Sequence, residues 1–198
     1  MKTTILTAAF MAATALGMNA QSEIMNITLN NGNVQSFNVS EISEISFEDS
    51  TPSITEGYTG QFEGTIELTV GGAFTYQADM TVTVTAGEDG STIDIHYPQY
   101  SLAGTMMGDL TLGELTITDL QYDESRNGFY RSYGGEGLTQ HFKAEKDGTV
   151  TMDADYPLND PSTILVTLSD DGTLSIENPF KLGAMPLPLT SKFVGTRK

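Results

Sequence analysis

The sequence predicts an all-β protein, an antiparallel up-and-down barrel of about eight to ten strands behind a small N-terminal β-hairpin module. Three observations predict it. Phe74, Tyr76, Ala78, Met80, Val82 and Val84 alternate with Thr75, Gln77, Asp79, Thr81 and Thr83, the two-residue period of a strand with one dry and one wet face. That pattern recurs almost to the end of the chain, with Gly- and Asp-rich turn signals between copies. Finally, Phe62-Glu63-Gly64-Thr65 and Phe193-Val194-Gly195-Thr196 both place a Gly two positions after an aromatic, the pairing of small and large side chains that a barrel seam needs.

Residues 1–20 read as a secretory leader. Lys2 opens a basic region, Ile5 to Leu16 is apolar, and Met18-Asn19-Ala20 ends in the small residue that a signal peptidase accepts. The apolar run is too short to anchor the chain across a bilayer. The chain contains no Cys, so disulfides, thiol catalysis and Cys-type zinc sites are excluded, and so is a Cys-linked lipid anchor. The expected location is therefore periplasmic or extracellular.

Residues 21–50 form the hairpin module. Met25, Ile27 and Leu29 alternate with polar neighbours, Asn30-Asn31-Gly32-Asn33 turns the chain, and Val34 to Val39 returns. Ser40-Glu41-Ile42-Ser43 suits a short helical turn with Ser40 as its cap, and Ile45 to Phe47 a third extended piece. Residues 51–57, with Thr51-Pro52-Ser53, read as a linker to a second domain over 58–198.

In that domain Tyr58, Gly60, Phe62, Gly64, Ile66, Leu68 and Val70 share one face. A two-residue Gly71-Gly72 loop would set Leu68 beside Thr75, so burial demands an odd loop of about three residues, with a bulge. Gly87 to Gly90 reads as a four-residue loop that sets Val84 opposite Ile93. Further strands carry Ile93 to Tyr97, Tyr100 and Leu102, Leu110 to Tyr122, Phe129 to Tyr133, Leu138 to Ala144, Val150 to Tyr156, Ile164 to Leu168, Leu174 and Ile176, and Phe193 to Thr196. Asn127-Gly128, Asp147-Gly148 and Asp170-Asp171-Gly172 turn between them. Met185-Pro186-Leu187-Pro188-Leu189 cannot donate fully to a ladder and reads as an edge or crossing piece.

The run Tyr58 to Val84, the segment Tyr100 to Gly113 with Met106-Met107-Gly108-Asp109-Leu110, and Leu138 to Ala144 resemble the calycin-like, lipocalin-like β-barrel domain of secreted Gram-negative gut bacterial proteins. The resemblance covers roughly residues 58–198. It implies a lipocalin-like barrel, no established activity and no catalytic residues. By analogy of fold alone it implies an interior that binds a small molecule.

Chemistry is sparse. His96 and His141 both fall on polar faces, where a solvated surface role accounts for them better than a metal or acid–base pair. Neither a Gly-x-Ser-x-Gly elbow nor a His-Glu-x-x-His helix occurs, and no cofactor motif is present. Acidic runs at Glu88-Asp89, Asp123-Glu124, Asp153 with Asp155, Asp160 and Asp170-Asp171 match turn chemistry rather than a twelve-residue calcium loop. A periplasmic hydrolase with paired carboxylates therefore has no support. The net charge of −17 argues against nucleic acid and anionic membranes as partners. A membrane barrel would turn its apolar face outward between aromatic girdles, which this pattern lacks.

The candidate binding set is the inward one: Phe74, Tyr76, Met80, Tyr100, Met106, Met107, Phe142, Met152 and Tyr156. Aromatics and Met line adaptable apolar cavities, though the same residues also pack cores. Gly60, Gly64, Ala78, Gly104 and Ala144 on inward positions remove volume and favour a cavity. The expectation is a secreted, non-catalytic barrel holding a small apolar or amphipathic ligand. The alternative is a protein-interaction or cell-surface assembly module with a filled barrel, whose protein partner the residues do not identify.

Overall fold

Alternation of dry and wet positions becomes hydrogen-bonded ladder throughout the computed structural model, which describes residues 24–29, 32–43, 53–88 and 90–198. The expected leader, the Asn30-Asn31 half of the hairpin turn, the piece Ile45 to Phe47 and the start of the expected linker lie outside the described residues. The chain divides into two units, Met1–Asp49 and Ser50–Lys198.

In the first unit β1 (Ile24–Thr28) pairs antiparallel with β2 (Val34–Asn38), with Met25 opposite Phe37 and Ile27 opposite Gln35. That register gathers Met25, Ile27, Leu29 and Phe37 on one face. Asn26 and Ser36 share the other, where the Ser36 hydroxyl donates to the Asn26 carboxamide at 2.6 Å. Neither strand contains a buried residue. A 3₁₀ turn follows over Val39–Glu41, and its cap position is Asn38, not the expected Ser40. The cap thus sits two residues early; the Asn38 amide donates to Glu41 Oε1 at 3.3 Å, and no side chain bonds to the turn's backbone at this cap.

The second unit carries β3 (Gly60–Val70), β4 (Phe74–Ala86), β5 (Thr92–Tyr97), β6 (Tyr100–Thr105), β7 (Gly108–Leu112), β8 (Leu115–Asp123), β9 (Gly128–Ser132), β10 (Thr139–Lys146), β11 (Thr149–Asn159), β12 (Thr163–Leu168), β13 (Thr173–Leu182) and β14 (Leu189–Arg197). Eight of them close antiparallel in the order β12-β9-β8-β5-β4-β3-β14-β13, with β12–β13 completing the ring. The other four, β11-β10-β7-β6, extend outward from β13. The ring thus falls within the eight to ten strands expected, and the described residues of this unit hold twelve strands in all. Two expected strands are each split, at Pro98-Gln99 and at Gly113-Glu114, into pieces that pair with different neighbours.

The long strand β13 makes this possible. Leu174 to Glu177 pair with β12, while Lys181 and Leu182 pair with the end of β11. Ser162, 0% exposed, pins the exchange between β11 and β12. Its hydroxyl donates to the Asn159 carbonyl at 2.5 Å and accepts the Lys181 N–H at 3.0 Å. At the far end of the extension, the chain just beyond β6 returns to β4, where the Met106 N–H donates to the Tyr76 hydroxyl.

The β3–β4 loop has the three residues that burial demanded: Val70 pairs with Phe74 and Leu68 with Tyr76, without a bulge in the ladder. Gly71 and Gly72 reach φ of +63° and +70°, which makes the turn without one. The next loop differs from expectation. Val84 pairs with Ile95, not Ile93, because β5 starts at Thr92 and the Gly87 N–H bonds to the Thr92 carbonyl. The register moves by two residues, so both side chains keep their face.

Gly64 lies directly opposite Gly195 across β3 and β14. A Cβ on Gly64 would come within 2.0 Å of the Val194 carbonyl oxygen, so the two strands meet as closely as they do only without side chains there. Phe62 and Phe193 fill the interior beside them at 0% and 1% exposure. Each such ring contributes on the order of 1.5–3 kcal/mol through burial.

Residues 53–59, of which 53–57 read in sequence as linker, dock on the barrel. Thr55 is buried, the Ser53 hydroxyl donates to the Gly90 carbonyl at 2.8 Å, and Arg197 donates to the Gly57 carbonyl at 2.9 Å. The Tyr58 ring stands edge-on to Phe129 at 4.9 Å and closes that end of the core. Burial raises the Tyr58 hydroxyl pKa above its ordinary value.

Candidate functional site

At the opposite end of β3 the barrel strands meet the outward extension. A pocket of about 390 Å³ lies there, between strand tips. The end of β3 contributes Val70 and the start of β4 Tyr76; the β6–β7 turn contributes Thr105, Met106 and Met107. Leu110, Met152 and Tyr156 line it from β7 and β11, and Leu182 from β13. The loop from β13 to β14 closes the circle with Ala184, Met185, Pro186 and Leu187.

These elements meet for local reasons. Pro186 and Pro188 keep the β13–β14 loop out of the ladder. It is tied down instead by Gly183 N–H to the Pro157 carbonyl at 2.8 Å and Gly71 N–H to the Pro188 carbonyl at 2.8 Å. The β6–β7 turn is held from within: the Thr105 hydroxyl donates to the Gly108 carbonyl at 2.6 Å and accepts the Met107 N–H at 3.1 Å. The polar atoms of Thr105 are therefore engaged with their own turn. The Tyr156 ring is set edge-on to the buried Phe142 at 6.3 Å. No charged side chain lines the pocket.

Of the nine inward residues expected to bind, the structure brings five together here: Tyr76, Met106, Met107, Met152 and Tyr156. Phe74 stands at the mouth, one ladder pair from the turn and 46% exposed. Phe142 is core at 2% exposure, packed behind Tyr156, and Met80 is core at 9%, opposite Gly64. Tyr100 belongs to a deeper space. Gly104, expected to face inward, is exposed with open space around it, since at a φ of +66° it sits in the irregularity of the β6–β7 ladder between Leu102 and Thr105. Sequence reasoning missed Val70, Leu110 and Leu182, which look like ordinary core positions, and the Ala184–Leu187 loop. Its one visible signal is apolar residues set between prolines.

Two residues further in along β7, β11 and β13 the lining changes character. Leu112, Leu158 and Phe180 surround a space of about 20 Å³, together with the polar residues Tyr97, Tyr100, Gln140, Asn178 and Ser191. Space of that size takes roughly one water molecule. The Gln140 amide donates to the Gly113 carbonyl at 2.8 Å, and the Asn178 carboxamide accepts the Tyr133 hydroxyl at 2.5 Å. Burial pushes the hydroxyls of Tyr97, Tyr100 and Tyr133 well above the ordinary tyrosine pKa, and for Tyr133 this outweighs the hydrogen bond to Asn178. The pocket floor is therefore a dry leucine and phenylalanine layer over a small polar chamber.

The histidines stay on the outer faces. His96 Nδ1 meets the Thr116 hydroxyl at 2.9 Å. His141 lies between two carboxylates of β11, 2.8 Å from Asp155 and 3.2 Å from Asp153, all three well exposed. Among the described residues no group of three or more His, Cys, Asp or Glu is arranged to hold a metal ion. No described helix is long and apolar enough to cross a membrane.

Residues 58–196 match the calycin-like β-barrel domain family. No curated protein matches the chain. A crystal structure of a Bacteroides fragilis NCTC 9343 protein, provisionally assigned to the outer membrane, is similar at 22% identity with a TM-score of 0.49. The likeness covers 73% of this chain and 53% of that one, so this chain spans about half its length.

Proposed function

This chain belongs to the calycin-like β-barrel domain family, and we propose that it is a secreted, non-catalytic barrel that binds one small apolar or amphipathic molecule at its open mouth. The observation that carries this reading is the 390 Å³ pocket, which falls in the size range of small-molecule sites and opens at one end. The residues proposed to hold the ligand are Tyr76, Met106, Met107, Met152 and Tyr156, with Phe74 at the rim. The lining supports binding rather than chemistry, because it contains no carboxylate, imidazole, amine or charged group that could transfer a proton. The apolar leader supports export.

Titration with the neutral fluorophore N-phenyl-1-naphthylamine tests it. The expected result is saturable binding of one molecule per chain, abolished by Ala184→Trp. Ala184 is an exposed lining residue, so the indole fills the mouth without entering the core. No saturable binding to the native protein, or unchanged binding to the variant, overturns the proposal.

A role for the N-terminal unit in protein contact is favoured by a separate observation. Ile27, Leu29 and Phe37 on one hairpin face are 39–41% exposed, and an isolated two-stranded hairpin is marginal in water. Ile27→Ser with Phe37→Ser should weaken such a contact and leave ligand binding intact. Unchanged association, followed by light scattering or pull-down from the native envelope, counts against it.

A further inference from the structure

The pocket's lining differs in kind from the core a few ångströms beneath it. Among the described residues the buried core is built from Leu, Ile, Val, Phe and Tyr, with one alanine, Ala144, and one methionine, Met80. The pocket carries four of the nine methionines in the chain, Met106, Met107, Met152 and Met185, beside the phenol rings of Tyr76 and Tyr156. A cavity meant only to exclude water could use the same aliphatic residues as the core. Thioethers add polarisability and a preferred contact with the edges and faces of aromatic rings, and their unbranched stems adjust to a ligand's outline.

Polarity narrows the class further. With no charged side chain in the lining, a charged ligand group would be desolvated without a partner. The Tyr76 oxygen already accepts the Met106 N–H, which leaves its hydroxyl hydrogen as a donor in the lining. Tyr76 therefore offers a single hydrogen bond to one acceptor on the ligand.

We infer that the mouth pocket is selective for uncharged, flat, π-rich molecules bearing one hydrogen-bond acceptor, held by the thioethers of Met106, Met107, Met152 and Met185. This rests on the binding role proposed above. It goes beyond that role by naming the ligand's chemistry.

Equilibrium dialysis of 9-anthracenemethanol and 1-tetradecanol tests it. The two are close in size, neutral, and carry one hydroxyl each. The anthracene alcohol is expected to bind the native protein at least about tenfold more tightly, the sum of several sulfur–ring contacts. Leu keeps the volume of Met and removes its sulfur. In Met106→Leu/Met107→Leu/Met152→Leu/Met185→Leu the preference should therefore fall to about threefold or less, with tetradecanol affinity unchanged. The double variant Met107→Leu/Met152→Leu, measured alongside, should fall between and covers the case in which the fourfold variant folds poorly. Equal binding of the two alcohols, or tighter binding of tetradecanol, overturns the selectivity and leaves the binding role standing. An anthracene preference that survives the leucine variants overturns the thioether assignment. Failure of both alcohols to bind overturns the binding role itself.

Discussion

The backbone N–H of Met106 donates to the phenol oxygen of Tyr76 across 3.1 Å, joining the β6–β7 turn to β4 where no ladder does. One side chain thus fixes the mouth's width and supplies a polar group to it. Tyr76→Phe removes both functions while keeping the ring. Water replaces the lost acceptor at the exposed Met106 amide, so global stability should fall by no more than about 1 kcal/mol. Affinity for an acceptor-bearing ligand such as 9-anthracenemethanol should weaken roughly three- to tenfold. Parallel dialysis and urea unfolding separate the two effects. An unchanged affinity would remove Tyr76 from the site.

Gly64 faces Gly195 across the β3–β14 ladder, and a methyl on either glycine meets backbone. Gly64→Ala should therefore destabilise by about 1–3 kcal/mol through strand displacement. The neighbour change Thr65→Ala, at a half-buried position on the opposite face of β3, should stay within about 0.5 kcal/mol apart from its lost hydrogen bond to Asp79. Urea midpoints at constant m-value decide it, and equal effects at the two positions would contradict the close approach.

Ser162 holds the point where β11 gives way to β12. Ser162→Ala empties a fully buried side-chain position and removes the acceptor of the part-buried Lys181 N–H, which should cost about 1–3 kcal/mol. Ser132→Ala, at an exposed position of β9, is the control. Amide exchange at Lys181 should accelerate in the Ser162 variant, and protection equal to the native chain would exclude the role.

Burial raises the hydroxyl pKa values of Tyr97, Tyr100 and Tyr133 in the folded state. Their contribution to stability is complete below the unfolded pKa of about 10 and is lost as pH rises toward the folded values. Urea stability should therefore be flat to about pH 9.5 and fall steeply above it, with Tyr100→Phe reducing the slope. Absorbance titration should show these hydroxyls ionising only as the protein unfolds. On the acid side, hydrogen bonds from Ser169 and Thr173 lower the pKa of Asp171, so its contribution is present above the ordinary carboxylate range and lost as pH falls below it. Asp171→Asn should be less stable than the native chain at neutral pH and equal to it in strong acid. A constant difference across that range would contradict the linkage.

Much of the barrel was legible because a strand with one buried face writes its period directly into the residues. Leu68 cannot sit beside Thr75 without exchanging faces, so even the three-residue β3–β4 loop followed from burial, as did the two matched Phe-x-Gly pieces that meet at the seam. The Val84–Ile95 pairing was not legible. A shift of two residues preserves every face, and only the Gly87–Thr92 hydrogen bond selects it. Nor was the exchange of β13 between β11 and β12, where Ser162 meets Lys181 from nineteen residues away.

The binding set shows the same division. Alternation assigned Tyr76, Met107, Met152 and Tyr156 to the interior, but it assigned Phe142 and Met80 there with equal force. An inward position at the end of a strand lines a cavity, while the same position two pairs deeper packs a core. By itself the sequence determined which side of each strand is dry, because solvation acts residue by residue along the backbone. Tertiary structure alone decided where that dry face runs out of neighbours, because a pocket is set by strands and loops distant in the chain that stop short of one another.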